Sequence, residues 1–173
     1  LESRLRTAVE RGEFVLHYQP QVELGSGRIA GVEALLRWRA PDGRLVPPGE
    51  IVPLCEDTGL IVPIGAWALG AACRQRRAWN DSGVPRFPVA VNLSPRQLGQ
   101  PDLVRQVRQA LEEAGLEAED LELELTESGI MQGPESAAGL LRDLRAAGVS
   151  LSIDDFGTGY SSLSALRSFP IQT

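Results

Sequence analysis

Acidic and amide side chains recur where the apolar, strand-like segments of this chain end. Asn92 directly follows one such segment, and Glu124 lies near the end of another. Asp154 and Asp155 follow the last segment, and Glu33 interrupts an earlier apolar run. Carboxylates that share one site repel one another and lose solvation when they are buried, so such a group is stable chiefly when cations bind it. The pattern therefore predicts a metal site.

The donor atoms of this predicted site indicate which metal it would bind. The side chains offer carboxylate and amide oxygens, and His17 is the sole histidine. Oxygen donors favour hard ions such as Mg²⁺ or Mn²⁺ over Zn²⁺. Two such ions can bridge a phosphate ester, lower the pKa of a bound water and stabilise the leaving oxygen. The site is thus predicted to act on a phosphate ester.

Each acidic residue also has a structural interpretation when it is taken alone. Glu122 and Glu124 fit the solvent-facing positions of an alternating edge strand. Asp154-Asp155 fits an ordinary turn, and Glu33 fits a paired core charge. All these interpretations hold together only if acids fall by chance at four successive strands. The metal site is therefore favoured over them.

Alternating strands and helices in the second half of the chain would bring these residues together. The spacing of apolar residues predicts a strand at 87–93, a helix at 102–114, a strand at 121–125, a helix at 135–147 and a strand at 149–153. This order implies a parallel sheet, either doubly wound or closed into a barrel. In both arrangements the carboxyl ends of the strands meet on one face.

The first half of the chain predicts a different arrangement, a hairpin followed by helices. A short helix at 1–11 precedes strands at 14–22 and 29–38, a loop at 40–48, and helices at 51–57 and 63–79. Cys55 and Cys73 lie in apolar helical patterns, which indicates neither a disulfide framework nor a zinc site. The composition predicts one domain in a reducing cytoplasm, and a net charge of −6 argues against polymeric nucleic acid.

Five motifs, taken in order, resemble those of the EAL-domain cyclic di-GMP phosphodiesterases. They are residues 14–21 (FVLHYQPQ), 33–38 (EALLRW), 92–94 (NLS), 124–127 (ELTE) and 154–163 (DDFGTGYSSL). The resemblance implies an α/β fold, a TIM-like (β/α)8 barrel of EAL type with an antiparallel first strand. Residues 1–173 would form the N-terminal part of that domain, about five of its eight strands. The resemblance places a lysine and a further glutamate after residue 173, so we expect this chain alone to be poorly active or inactive.

The resemblance also implies a role for individual residues. Metal ligands would be Glu33, Asn92, Glu124 and Asp154, with Asp155 beside them at a two-metal centre, and the catalytic residues would be Glu33, Asp154 and Asp155. Gln19 and Arg37 would contact the dinucleotide, although Arg37 also fits a rim salt bridge. Glu127 would anchor the loop after the fifth strand, which Gly157 and Gly159 would allow to move.

The function implied by the resemblance is hydrolysis of cyclic di-GMP to linear pGpG with two Mg²⁺ or Mn²⁺ ions. The alternative is a catalytically inactive EAL domain that acts as a cyclic di-GMP receptor. Such receptors typically lose metal ligands, and the five intact positions favour the enzyme. The implied partners are cyclic di-GMP, an upstream sensor or diguanylate cyclase (GGDEF) domain, and a second copy in a homodimer. The expected location is cytoplasmic, with membrane anchoring only through other domains.

Overall fold

The computed structural model describes residues 2–131 and 134–154 of the 173-residue chain. Three residues with predicted roles, Asp155, Gly157 and Gly159, lie outside these ranges. The other predicted site residues all lie within them.

The chain begins with a helix and an antiparallel strand pair. Helix α1 (Glu2–Ala8) precedes β1 (Phe14–Val22), which pairs with β2 (Ile29–Arg39). This confirms the predicted hairpin and its antiparallel first strand. The stretch predicted as a loop also contains β3 (Leu45–Val46), which pairs with the end of β2. That prediction was wrong because a two-residue strand is too short to show an alternating pattern.

Two helices follow, and both begin earlier than predicted. Helix α2 (Pro48–Thr58) begins at a proline, and α3 (Ile61–Asp81) carries Pro63 in its first turn. The amide groups of a first helical turn have no partner within the helix, so proline is tolerated there. Pro48, the last residue of the predicted loop, is therefore the first residue of α2.

The second half alternates as predicted, with additional short helices. The elements are β4 (Val89–Leu93), α4 (Pro95–Leu98), α5 (Leu103–Ala114), a 3-10 turn (Ala118–Asp120), β5 (Leu121–Thr126), α6 (Glu127–Met131), α7 (Pro134–Ala146) and β6 (Ser150–Asp154). Helices α4 and α6 were missed because each has about one turn and follows a strand almost directly.

The strands form one mixed sheet with the order β1-β2-β4-β5-β6, and β3 pairs with β2 outside this order. Strands β2, β4, β5 and β6 run parallel, so their carboxyl ends lie along the same edge. The face that packs against the helices is apolar, and its buried strand residues include Ala34, Val89, Val91, Leu93, Leu121, Leu123, Leu125 and Leu151. The alternate residues of these strands therefore point to the opposite face.

Several aromatic and cysteine side chains have packing roles. Trp38 is buried and donates a hydrogen bond to Glu13, and Tyr18 and Trp79 pack edge to face with ring centroids 4.9 Å apart. Tyr18 is thus on the helix side, away from the predicted site. The Cys55 and Cys73 thiols are free, and burial raises the pKa of each to about 11. Among the described residues, no helix is long and apolar enough to cross a membrane.

Candidate metal centre

The face of the sheet that points away from the helices carries most of the predicted site residues, and we call it the polar face. In the register of the strands, Asn92 of β4 lies beside Glu124 of β5, and Glu124 lies beside Ser152 of β6. Asp154, the last residue of β6, lies beside Thr126. Parallel pairing thus brings oxygen-bearing side chains from three successive strands to one edge, as the sequence predicted.

Hydrogen bonds connect these residues across strands. The Asn92 amide (Nδ2) donates to Glu33 Oε1 at 2.8 Å, which joins β4 to β2. The Gln21 amide (Nε2) donates to Glu124 Oε1 at 3.2 Å. Each of the two glutamates therefore accepts a bond from a neutral amide through one oxygen. An amide that donates through its nitrogen keeps its carbonyl oxygen as an acceptor, so Asn92 can still offer an oxygen to a cation.

Glu124 is the most perturbed acid of the polar face. Its residue surface is 8% exposed, and its pKa is raised to about 7, with burial as the largest cause. The negative charge of Glu33 also raises the pKa, whereas the hydrogen bond from Gln21 lowers it; Glu122 and Asp154 raise it by smaller amounts. A buried carboxylate near several like charges is the environment that a bound cation relieves.

The raised pKa of Glu124 predicts how stability depends on pH when no metal is bound. The pKa of Glu124 is about 7 in the folded protein and 4.5 ordinarily. Between these pH values the Glu124 carboxyl therefore holds a proton in the folded protein that the unfolded chain has released. The free energy of unfolding in EDTA should therefore fall as pH rises from about 4.5 to about 7. Urea unfolding across this range measures the fall.

The matched variant for this prediction is Glu124→Gln, which cannot titrate at that position. It should lose most of the decrease between pH 4.5 and 7. An unchanged pH profile in Glu124→Gln would show that another group causes the dependence.

The structure disagrees with two of the alternative interpretations, the edge-strand position of Glu124 and the paired core charge of Glu33. Strand β5 lies between β4 and β6, so Glu124 is neither on an edge strand nor solvent-facing. The hydrogen bond that Glu33 accepts comes from the neutral amide of Asn92, which is another predicted ligand. This contact is therefore not the charge pair of the alternative interpretation.

The residues predicted to contact the substrate or to support a loop differ in how far they are exposed. Gln19 is exposed and lies opposite Glu33 in the β1–β2 register. Arg37 is half-buried, and its guanidinium donates to the Leu36 carbonyl at 2.8 Å. Glu127 is buried as the first residue of α6, but the loop it would anchor lies outside the described residues. The substrate and loop roles of these three residues stay predictions.

The chain segment after β4 is held by local contacts. Ser94 and Gln97 cap α4 reciprocally: Ser94 Oγ accepts from the Gln97 N–H, and Gln97 Oε1 accepts from the Ser94 N–H. The Gln97 side chain is buried against Gly65 of α3, where a Cβ atom would lie 2.2 Å from Gln97 Nε2. These contacts fix the backbone immediately after Asn92. The Ser-Pro-x-Gln sequence was a capping signal that could have predicted this turn.

The donor set fits a hard divalent cation. Within residues 2–131 and 134–154, no three acidic, histidine or cysteine side chains are grouped closely enough to form a metal site by themselves. The predicted set also includes Asn92, whose amide oxygen is a ligand of another type, and Asp155, which lies outside the described residues. The oxygen donors and the raised pKa of Glu124 suit a hard divalent cation.

The antiparallel β1–β2 start and the parallel strands that follow define a mixed α/β fold, and its polar face carries the acidic residues. The family model of the EAL domain matches residues 2–173. The chain therefore belongs to the EAL domain family, and its fold is the TIM-like barrel of that family.

Relatives with assigned names support this membership. The chain is 51% identical to the bifunctional diguanylate cyclase/cyclic di-GMP phosphodiesterase MucR of Pseudomonas aeruginosa, over 96% of this chain and 24% of MucR. It is 46% identical to the cyclic di-GMP phosphodiesterase NbdA of the same organism, over 99% of this chain and 22% of NbdA. The chain thus spans about a quarter of the length of these curated relatives.

Solved structures agree with the sequence relatives. The MucR phosphodiesterase in complex with cyclic di-GMP superposes with a TM-score of 0.93 at 50% identity, covering 98% of this chain and 69% of that one. The EAL domain of Pseudomonas aeruginosa FimX bound to cyclic di-GMP gives a TM-score of 0.88 at 26% identity, covering 98% of this chain and 68% of the other.

Proposed function

We propose that the protein containing this chain hydrolyses cyclic di-GMP to linear pGpG. The observation that carries the proposal is the convergence of Glu33 and Glu124 with Asn92 at one edge of the polar face, where burial and the charge of Glu33 raise the pKa of Glu124. The relatives named as cyclic di-GMP phosphodiesterases, and the complex of MucR with that dinucleotide, indicate the substrate.

The proposed ligands of two divalent ions are Glu33, Asn92, Glu124, Asp154 and Asp155, and Glu33, Asp154 and Asp155 are also the proposed catalytic residues. Bound Mg²⁺ or Mn²⁺ would lower the pKa of a water and stabilise the leaving oxygen. In the overall reaction one water adds across a single P–O bond, which leaves a phosphate on one guanosine and a hydroxyl on the other.

The polar face also offers groups for the dinucleotide itself. Arg37 lies on the same face as Glu33 along β2, and its guanidinium can hold a phosphate oxygen through paired N–H donors. Gln19 lies opposite Glu33 and is exposed, so its amide is available to a bound nucleotide. In this proposal the two residues orient the substrate beside the acidic residues, while Glu127, Gly157 and Gly159 support the loop that follows β6.

Further domains and location are part of the proposal. MucR is named as a bifunctional cyclase and phosphodiesterase, which suggests a diguanylate cyclase domain as a partner in the same polypeptide. The proposed location of this domain is the cytoplasm, and the two free, buried thiols suit a reducing compartment.

Turnover of cyclic di-GMP tests the proposed function. The purified protein that contains this chain is incubated with cyclic di-GMP and Mn²⁺, with Mg²⁺, or with EDTA, and the products are separated by chromatography. We expect linear pGpG with either metal and none with EDTA. Binding of cyclic di-GMP without any turnover in either metal would contradict the hydrolase and support a receptor.

A further inference from the structure

A glutamine of the first strand reaches a predicted metal ligand on a distant strand. Gln21 of β1 donates from Nε2 to Glu124 Oε1 on β5, although β2 and β4 lie between these strands in the sheet. The bond is partly buried and joins residues 103 positions apart. Gln21 thus connects the antiparallel hairpin directly to the most buried acid of the polar face.

Gly31 leaves the space that the Gln21 side chain occupies. Gly31 lies opposite Gln21 in the β1–β2 register and is buried. A Cβ atom at this position would lie 2.7 Å from Gln21 Oε1, so the end of the Gln21 side chain would have to move from its present position. Gly31 is not among the glycines with a positive φ, so its backbone does not itself require glycine. The absence of a side chain is therefore what matters here.

An irregularity of the β1–β2 ladder lies next to this pair. The register shifts between Gln21 and Val22, since Gln21 pairs with Gly31 whereas Val22 pairs with Ile29. Irregularities of this kind bend a strand and change the direction of nearby side chains. The shift and the glycine together provide a local reason why Gln21 can point across the face toward Glu124.

We propose that Gln21 is a positioning residue for Glu124 and that Gly31 is required because it leaves room for Gln21. The bond uses Oε1 of Glu124, so the second oxygen, Oε2, remains for a cation. A neutral amide holds the carboxylate without adding a charge that would compete with the metal. Partners that orient a ligating carboxylate typically matter for metal affinity. The metal role of this pair rests on the proposed function, whereas the contact itself does not.

A double-mutant cycle on Gln21 and Gly31 tests this proposal. Mn²⁺ binding to the protein that contains this chain is measured by calorimetry for Gln21→Ala, Gly31→Ala and the double variant. Each single change should weaken Mn²⁺ binding by about tenfold. The double variant should bind no more weakly than Gln21→Ala, because Gly31→Ala acts by displacing a side chain that is then already absent. Gln109→Ala and Gly139→Ala are the matched controls and should leave Mn²⁺ binding unchanged.

Two further measurements separate the failure of this inference from failure of the proposed function. If Glu124→Ala weakens Mn²⁺ binding but Gln21→Ala does not, the positioning role is overturned while the proposed ligand set stands. If Glu124→Ala changes nothing, the ligand assignment and the positioning role both fail. Urea unfolding of the same cycle in EDTA then tests the contact alone: fully additive effects of the two substitutions would overturn the role of Gly31 as well.

Discussion

Glu33→Ala should reduce the rate of cyclic di-GMP hydrolysis by roughly 1000-fold with Mn²⁺ present, comparable to the loss of one preorganised electrostatic group. The substitution removes a proposed ligand oxygen and also leaves the Asn92 amide without its acceptor. The charge of Glu33 contributes to the raised pKa of Glu124, so its removal also makes Glu124 easier to ionise. Stability in EDTA should therefore be maintained or increased while activity is lost.

Glu112→Ala is the matched control for this prediction. Glu112 is an exposed glutamate of α5, away from the polar face, and its removal should leave turnover unchanged. Initial rates of pGpG formation are compared for the unsubstituted protein, Glu33→Ala and Glu112→Ala, together with urea unfolding of each in EDTA. Equal turnover by Glu33→Ala and the unsubstituted protein would remove Glu33 from the metal centre.

Asp120→Ala should lower the free energy of unfolding by about 3–5 kcal/mol, the usual cost of leaving one member of a buried ion pair without its partner. Asp120 is 2% exposed and accepts from Arg76 at 3.4 Å and from Arg86 at 2.9 Å. The Arg76 guanidinium is fully buried and lies 4.8 Å from the centre of the Phe87 ring. Without Asp120, that guanidinium would be a buried charge with no carboxylate beside it.

The two arginines give this prediction its control. Arg86 has 57% of its side-chain surface exposed, so Arg86→Ala leaves no buried guanidinium without a carboxylate and should cost clearly less than Asp120→Ala. Because Asp120 precedes β5 whereas Glu124 lies near its carboxyl end, Mn²⁺ affinity should persist in Asp120→Ala under conditions where it folds. Urea unfolding and Mn²⁺ calorimetry measure the two effects. A cost for Asp120→Ala no larger than for Arg86→Ala would contradict the role assigned to the buried pair.

The sequence predicted the parts of the site that depend on strand order. Asn92, Glu124 and Asp154 each follow or end an apolar segment with a helix between successive segments, and such segments pair in parallel with their carboxyl ends together. Their placement at one edge of the sheet follows from this regularity.

Contacts between individual side chains of distant elements were not predicted. The Gln21–Glu124 bond skips two intervening strands, and the Arg76–Asp120 pair joins a helix to a short turn. Neither contact produces a periodic pattern of apolar residues in the sequence, because each depends on the rotamer of one side chain and on one gap in the packing. Gly31 was a usable signal, since a glycine inside a strand often marks a bulge or a close approach.

The anomalous scattering of Mn²⁺ in crystals grown with a phosphorothioate analogue of cyclic di-GMP tests the central claim most directly. We expect manganese peaks about 2.0–2.4 Å from oxygens of Glu33, Asn92, Glu124 and Asp154, with the phosphorothioate group of the analogue bound to the same ions. Manganese at another place on the protein, or the analogue bound away from the polar face with no metal contact, would contradict the account.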